Sequence, residues 1–331
     1  MTTPRLLDTV EALYCDLDGV VYLGAEPVLE AVEALTRAAE RGTRVAYLTN
    51  NASRTPDEVA GQLRGLGLHS AQADDVVTSA QACPALLQEA SIPAGAAVLV
   101  VGGLGLRQAV AGAGYRIVTD GDEHPAAVVQ GFAPEVGWRE LAEASFAIQA
   151  GAVWIGSNDD RTIPRERGLA PGNGTLIAAV AAATGSTPVL AGKPHAPIYR
   201  TAAERFGVRR ALAIGDRLDT DIEGANRAGI ASALVLTGTD REAPLFAAEP
   251  ARRPRYVLDT LSDLFAPVQN PEVDDSRAIC GEAEVELEGG RLRVRRTGRH
   301  ADRLLAAAAL IWASGVDHRQ LRLDADLGAG F

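Results

Sequence analysis

The sequence predicts an α/β protein: a doubly wound, Rossmann-like parallel sheet, an inserted α/β domain, and a small α+β unit at the C-terminal end. Three observations predict it. Short apolar strand patterns alternate with helical ones at the start of the chain, the same alternation returns after residue 189, and a stretch long enough to be a domain lies between. A chain of 331 residues is also too long for one small domain.

Residues 11–16, EALYCD, have the pattern of a short apolar strand, and Arg44–Thr49, RVAYLT, that of the next. Between them EPVLEAVEALTRAAERG has helical spacing and stops at Gly42, a C-cap residue. TPDEVAGQLRGLG opens another helix with Thr55, Pro56 and Glu58, a capping box with proline in the first turn. Later, APIYRTAAERFG is helical, RRALAIGD a strand, TDIEGANRAG a helix and ASALVLT a strand. The middle has strands of its own in AVLVV, AAVVQGF and AVWIGS. The expected organisation is a split core, 1–78 with 189–268, around an insert at 79–188.

The tail, 277–331, is expected to be a ββαβ unit. GEAEVELEGGRLRVRR alternates strictly, with Ala283, Val285, Leu287, Leu292 and Val294 on one face and Gly289-Gly290 as the turn. Glu282, Glu284, Glu286 and Glu288 oppose Arg291, Arg293 and Arg295, so the arginine run is neutralised across the hairpin rather than offered to nucleic acid. ADRLLAAAALIWAS is helical and LRLDAD a last strand. About 55 residues make a marginal core, so this unit is expected to pack on something.

Hydrophobic residues make up 47% and charged residues 23%, a globular balance. The net charge of -11 argues against nucleic acid and anionic membranes as partners. No apolar run reaches membrane-spanning length, and MTTPRLLDTVEALYC lacks a long apolar segment with a cleavage site, so the expected location is the cytoplasm. Cys15, Cys83 and Cys280 are too few and scattered for a disulfide framework or a zinc site, and are expected to be small buried residues.

Ligands of open α/β sheets bind beyond the carboxyl ends of the strands. Those ends here hold Asp16-Leu17-Asp18-Gly19, then Thr49-Asn50-Asn51, then Gly215-Asp216 with Asp219 and Asp221 behind. Carboxylates gathered in one crevice repel, and a divalent cation with oxygen ligands, Mg²⁺, resolves the repulsion. Lys193 is the single lysine among 32 Lys and Arg residues, and it lies in the loop leading into the later half. A compact ammonium beside a metal, with Thr49 and Asn50 as neutral donors, suits phosphoryl transfer. Aspartate can then act as the nucleophile.

DLDGV, LTNN, GKP and GDRLDTDI, in this order, resemble the four motifs of the haloacid dehalogenase superfamily of phosphatases. The long insert between the second and third resembles the branch with p-nitrophenylphosphatase-like, phosphoglycolate and glycerol-3-phosphate phosphatases. The resemblance covers about residues 8–265. It implies Asp16 as nucleophile and Mg²⁺ ligand, and Asp18 as general acid and then base, its carbonyl also on the metal. It implies Thr49 and Asn50, with Asn51 beside them, as phosphate ligands, and Lys193 as the charge that steadies Asp16 and the phosphate. Asp216 becomes the third metal ligand and Asp221 a supporting acid. Asp219 is a further supporting acid or a helix cap. An acid at Asp18 favours a phosphatase over a dehalogenase, because only the former releases an alkoxide that needs a proton.

Gly103 and Gly105 in AVLVVGGLGLRQAV suggest a dinucleotide fingerprint, but Gln108 occupies the third glycine position, so a turn is expected there. GSNDDRTIPRERGLAPGNGTL resembles the family's return from insert to core: Asn158 and Asp160 match its recurring polar positions, Arg161, Arg165 and Arg167 are either ligands of an acidic or hydroxylated leaving group or solvated charges, and Asn158, Asp160 and Arg161 are the specificity candidates. A full domain as cap favours small substrates.

The expected partner is a small phosphoester, glycerol 3-phosphate or 2-phosphoglycolate. A nucleotide, pyridoxal phosphate or a sugar phosphate is the alternative, and a non-catalytic metal and phosphate sensor is the alternative of another class. Caps of this branch often pair, so the expected assembly is a homodimer through the cap. The appended tail resembles that of mycobacterial and related glycerol-phosphate phosphatases, and faintly part of an acetyltransferase-like fold.

Overall fold

The computed structural model describes residues 3–165 and 167–327. The chain forms two compact units. One comprises residues up to Val45 and from Val208 onward; the other runs from Ala46 to Gly207. The boundaries fall inside the strand Arg44–Thr49 and just after the helix Pro197–Phe206.

The first unit carries parallel strands in the order Tyr256–Leu258, Ala231–Val235, Ala211–Gly215, Ala12–Cys15. Their pairing is in register from Ala12↔Ala211 to Cys15↔Ile214 and from Leu212↔Ala231 to Gly215↔Leu234. Ala12, Leu13, Tyr14 and Cys15 are all buried, the continuous apolar run of a strand covered on both faces. The helix after the first strand starts at Leu29, later than its apolar spacing suggests. A tight turn and a short hairpin, Tyr22–Leu23 with Glu26–Pro27, take up the residues before it. TDIEGANRAG is likewise not one α-helix: a π-turn over Leu218–Ile222 leads into a single α-turn, Glu223–Arg227.

The tail belongs to this unit and has two strands more than a ββαβ unit. Glu272–Val273, Arg277–Cys280, Ala283–Glu288, Arg291–Arg296 and Arg322–Leu323 make a five-stranded sheet beside the helix His300–Ser314. Gly289 and Gly290 both have positive φ, +56° and +76°, the requirement of a two-residue hairpin turn. Across the hairpin Glu288 faces Arg291 and Glu286 faces Arg293. Arg296 pairs with Glu284 at 2.7 Å, Arg293 with Glu288 at 3.3 Å, and Arg295 with Glu286. The basic run is thus spent within the sheet. Leu304, Ala308 and Ile311 of the helix join Val285 and Leu292 of the hairpin, Leu234 and Val257 of the parallel sheet, and Phe246 of the short helix Glu242–Phe246, in one hydrophobic core. The marginal tail is stable because it shares that core.

The second unit has a five-stranded parallel sheet in the order Val189–Leu190, Val153–Gly156, Ala127–Gln130, Ala97–Val101, Arg116–Val118. Tyr47–Thr49 also pairs in parallel with Val76–Thr78. Capping boxes at Thr55 and Thr78 start the helices Pro56–Gly65 and Ser79–Glu89. Gly103 and Gly105 pack against the backbone of Ser53 and Arg54, where a Cβ would overlap their carbonyls. Close packing of this helix start on a loop explains the glycines without a dinucleotide.

All three cysteines are free and buried, and burial pushes the Cys280 thiol up to about 12. No helix among the described residues is long and apolar enough to cross a membrane.

Leu304→Ala removes a fully buried side chain from the shared core. It is expected to cost about 2–5 kcal/mol, read as a lowered urea midpoint of the unfolding transition followed by far-ultraviolet circular dichroism, with the tail and the parallel sheet losing structure together.

Candidate active site

In the first unit, Asp16 directly follows the first strand and Asp216 follows its neighbour, Ala211–Gly215. The parallel register brings them side by side, and the Asp16 N–H donates to the Ile214 carbonyl at 2.9 Å. Asp221 projects from the π-turn. One carboxylate oxygen from each of Asp16, Asp216 and Asp221 lies within 4.8 Å of the other two. Asp216 and Asp221 are each only 3% exposed.

Backbone donors and missing side chains hold this cluster. Asp216 Oδ2 accepts the Thr239 N–H at 2.7 Å, and Asp221 Oδ2 accepts the Arg217 N–H at 3.2 Å. A Cβ at Gly19 or Gly238 would overlap the Asp216 carboxylate, and one at Gly215 would overlap Asp221. Gly19 also takes φ +81°, turning the chain so that its N–H meets the Tyr22 carbonyl at 2.8 Å. The same turn leaves Asp18 exposed, with Tyr22 Oη 3.5 Å from its Oδ2. Thr237 Oγ1 ties the loop after Ala231–Val235 to the Gly19 carbonyl at 2.7 Å.

Asp219 stands apart from the cluster. Its carboxylate takes a two-pronged contact from Arg217, at 3.1 and 3.0 Å, in a half-exposed pair, and it caps no helix N-terminus there. Asp240 is a neighbour that motif spacing did not point to. Its N–H donates to the Asp216 carbonyl at 3.0 Å, and its own carboxylate accepts the Leu218 N–H at 2.7 Å. Burial pushes its pKa up, against the lowering effect of that hydrogen bond. Its signal was available: TGTD follows a sheet strand, at the end where ligands bind.

In the second unit a polar network centres on Asn50. The Asn50 amide brackets Lys193, donating to its carbonyl at 3.0 Å and accepting its N–H at 2.8 Å. The Asn50 carbonyl accepts from Ser79 Oγ at 2.6 Å and Asn158 Nδ2 at 2.7 Å. Asp160 Oδ2 accepts from Asn50 Nδ2 at 3.2 Å, and Asn158 Oδ1 accepts the Asp160 N–H at 3.2 Å. Asn158 and Asp160, two of the specificity candidates, thus make these hydrogen bonds to and around Asn50. Asn173 Nδ2 supports them from below through the Asn158 carbonyl at 2.6 Å.

Lys193 is 3% exposed, and its Nζ donates to the Leu48 carbonyl at 3.3 Å. Thr49 is buried, and its Oγ1 accepts the Asn51 N–H at 3.1 Å. Asn51 Oδ1 accepts from Ser53 N and Oγ, both at 3.0 Å, so this side chain shapes its own loop. Arg161 is exposed at the root of the hairpin Thr162–Arg165 with Gly168–Pro171, and its carbonyl accepts from Thr175 Oγ1 at 2.6 Å.

The acidic cluster offers only oxygen donors, mostly buried and drawn together by backbone contacts. That donor set fits a hard divalent cation such as Mg²⁺, with Asp16, Asp216 and Asp221 as the residues around it.

Comparison with known proteins gives a consistent picture. A family model for haloacid dehalogenase-like hydrolases matches residues 13–116, and a second HAD-hydrolase-like model matches 190–264. The D-glycerol 3-phosphate phosphatase of Mycobacterium tuberculosis is 41% identical over 95% of this chain and 90% of its own length. An acid sugar phosphatase of Staphylococcus aureus is 36% identical over 69% of this chain and 87% of its own. Among solved structures, a glycerol phosphate phosphatase from M. tuberculosis in complex with magnesium superposes with TM-score 0.86 at 40% identity, covering 98% of this chain and 95% of that one. A p-nitrophenyl phosphatase from Archaeoglobus fulgidus gives 0.71 at 29%, covering 78% and 99%.

Gly238→Ala places a methyl group on the Asp216 carboxylate. It is expected to weaken Mg²⁺ binding at least about tenfold by titration calorimetry, with the far-ultraviolet circular dichroism unchanged. Gly61→Ala, where only the Arg64 side chain is near, serves as the unaffected control.

Proposed function

The chain belongs to the haloacid dehalogenase-like hydrolases, and from that membership we propose that it hydrolyses glycerol 3-phosphate. The class of reaction is Mg²⁺-dependent hydrolysis of a phosphomonoester, as in its phosphatase relatives. The observation that carries the reading is the trio Asp16, Asp216 and Asp221, drawn together at the carboxyl ends of adjacent parallel strands. The glycerol 3-phosphate relative supports the substrate, because its likeness spans almost the whole chain, tail included, whereas the sugar phosphatase likeness spans 69%. A sugar phosphate is the second reading, supported by that relative.

In this reading a carboxylate oxygen of Asp16 attacks phosphorus, and the bond from phosphorus to the glycerol oxygen breaks. Asp18 gives its proton to that leaving oxygen. Its exposure suits a group that must meet both substrate and water. Asp18 then takes a proton from water as the water oxygen attacks phosphorus, the Asp16–phosphate bond breaks, and inorganic phosphate leaves. Bound Mg²⁺ supplies positive charge against the phosphoryl oxygens. Thr49 and Asn50 are the neutral phosphate donors and Lys193 the fixed cation. Asn158 and Asp160 act by holding Asn50, and Arg161, exposed at the hairpin root, is the specificity candidate. Asp219 has no part in the chemistry.

Residues 79–188 serve as the cap in this reading. Two copies pair through it, where Trp138 and Phe146 of one helix are 82% and 58% exposed. Three free, buried cysteines suit a reducing cytoplasm.

The test is phosphate release, with and without Mg²⁺, from glycerol 3-phosphate, 2-phosphoglycolate, a sugar phosphate, a nucleoside monophosphate, pyridoxal phosphate and p-nitrophenyl phosphate. Glycerol 3-phosphate is expected to give the highest kcat/KM, with Asp16→Asn inactive and Asp18→Asn slowed by about 10²–10⁴. No release from any ester by the folded, Mg²⁺-loaded protein would refute a phosphatase. A preference for a sugar phosphate would replace the substrate alone.

Lys193→Arg tests whether the buried cation must be an ammonium. A planar guanidinium is expected to lower kcat at least about 100-fold, with circular dichroism at the assay temperature checking that the variant is folded.

A further inference from the structure

We propose that a groove between the C-terminal helix and the segment before the last parallel strand binds a small organic anion: a phosphate or carboxylate carried on an apolar or ring-shaped body. The groove has a volume of about 530 Å³, the size of a metabolite site. All of it lies in the first unit, and none of its lining residues has a part in the phosphatase reading. Arg253, Arg255 and Asn270 line one side, and Leu305, Ala309 and Trp312 of the helix line the other.

The charge on the first side is unusual for this chain. Its net charge is -11, and the arginines nearby are matched to acids. Arg252 pairs with Glu223 at 2.7 Å, and Arg299 with Asp302 at 2.6 Å and Asp263 at 3.1 Å. Among the described residues no carboxylate lies within ion-pair distance of Arg253 or Arg255. Arg253 spends its Nε on the Ala248 carbonyl at 3.1 Å, which leaves both terminal nitrogens for another acceptor. The buried Pro254 between the two arginines fixes the chain there. Two guanidinium groups and an amide are the donor set that recognises a phosphate or a carboxylate.

A second, independent feature sits on the other side. Trp312 Nε1 is shut off from solvent and has no hydrogen-bond partner. A buried indole N–H without an acceptor is an unmet demand, commonly answered by a water or a ligand. Arg253 covers the Trp312 ring, 5.1 Å from its centroid. An anion that draws Arg253 into the groove uncovers this ring, which then offers its face to an apolar or planar body and its N–H to an acceptor.

Binding is measured by titration calorimetry and tryptophan fluorescence on the full chain carrying Asp16→Asn, so that no phosphoester is consumed. The probes are AMP, octanoate and inorganic phosphate. AMP or octanoate is expected to bind one per chain, at least tenfold tighter than inorganic phosphate and with a change in tryptophan emission. The stronger of the two identifies the anionic group. Arg255→Glu, at an exposed position, and Ala309→Phe, which fills the groove, are each expected to weaken binding at least tenfold. The proposal fails if neither organic anion binds at millimolar concentration. It fails equally if binding survives both substitutions unchanged, which would assign the probe to another place on the chain.

Discussion

Everything around the acidic cluster answers one electrostatic demand: three carboxylates must be held within 4.8 Å of one another. Two like unit charges 4 Å apart repel by about 4 kcal/mol at the dielectric typical of a protein surface. Such a cluster persists only where the fold is stable without it and where each carboxylate has donors of its own. The parallel register supplies the first condition, since Asp16 and Asp216 are brought together by strands whose own side chains are buried and apolar. Backbone N–H groups of Thr239 and Arg217 supply the second for Asp216 and Asp221. Glycines at 19, 215 and 238 are the third part, because any side chain there would occupy the volume of a carboxylate. A cation at this place relieves repulsion the fold has already accepted, so the geometry is prepared for it.

The strand ends were legible because a parallel α/β sheet puts chemistry at one predictable edge. An apolar run followed by Asp16, and another followed by Asp216, needs only local pattern to be recognised. The tasks of Asn158 and Asp160 were not legible in the same way. Their partner is Asn50, 108 and 110 residues earlier, and no periodicity encodes a hydrogen bond across that separation. The surroundings of Asp219 were hidden for a related reason. A helix beginning at Thr220 would have made it a cap, but a π-turn occupies 218–222 and turns it toward Arg217 instead. The extra residue of a π-turn shifts every side chain after it, and composition does not announce it.

The tail shows how far alternation carries and where it ends. Glu and Arg at every second position specified a hairpin whose outer face neutralises itself, and the cross-strand pairs bear this out. The strand Arg277–Cys280 was too short and mixed to stand out. What the apolar face packs on could not be read at all, because the answer lies in Leu234 and Val257 of the parallel sheet and in Phe246 of the helix between those strands. Those residues already looked fully accounted for by their own strands and helix. A tail joined to the core in this way cannot loosen without disturbing the strand that leads to Thr237 and Thr239, the residues that steady Gly19 and Asp216.

The single lysine is the composition's largest irregularity, and its surroundings account for it. Elsewhere arginine meets acids at half-exposed positions, where a long planar fork has room to find its partner. At residue 193 both backbone groups are taken by the Asn50 amide, so the main chain has no freedom to retreat. The side chain is buried and ends beside the Leu48 carbonyl, one residue before Thr49. A compact ammonium donates to that carbonyl through one of three N–H bonds carried on a single atom. A guanidinium spreads its donors across a plane that a 3% exposed position would have to enlarge to admit. Whatever pressure writes arginine at the other 31 cationic positions, it yields where a point charge must be buried at a strand's end.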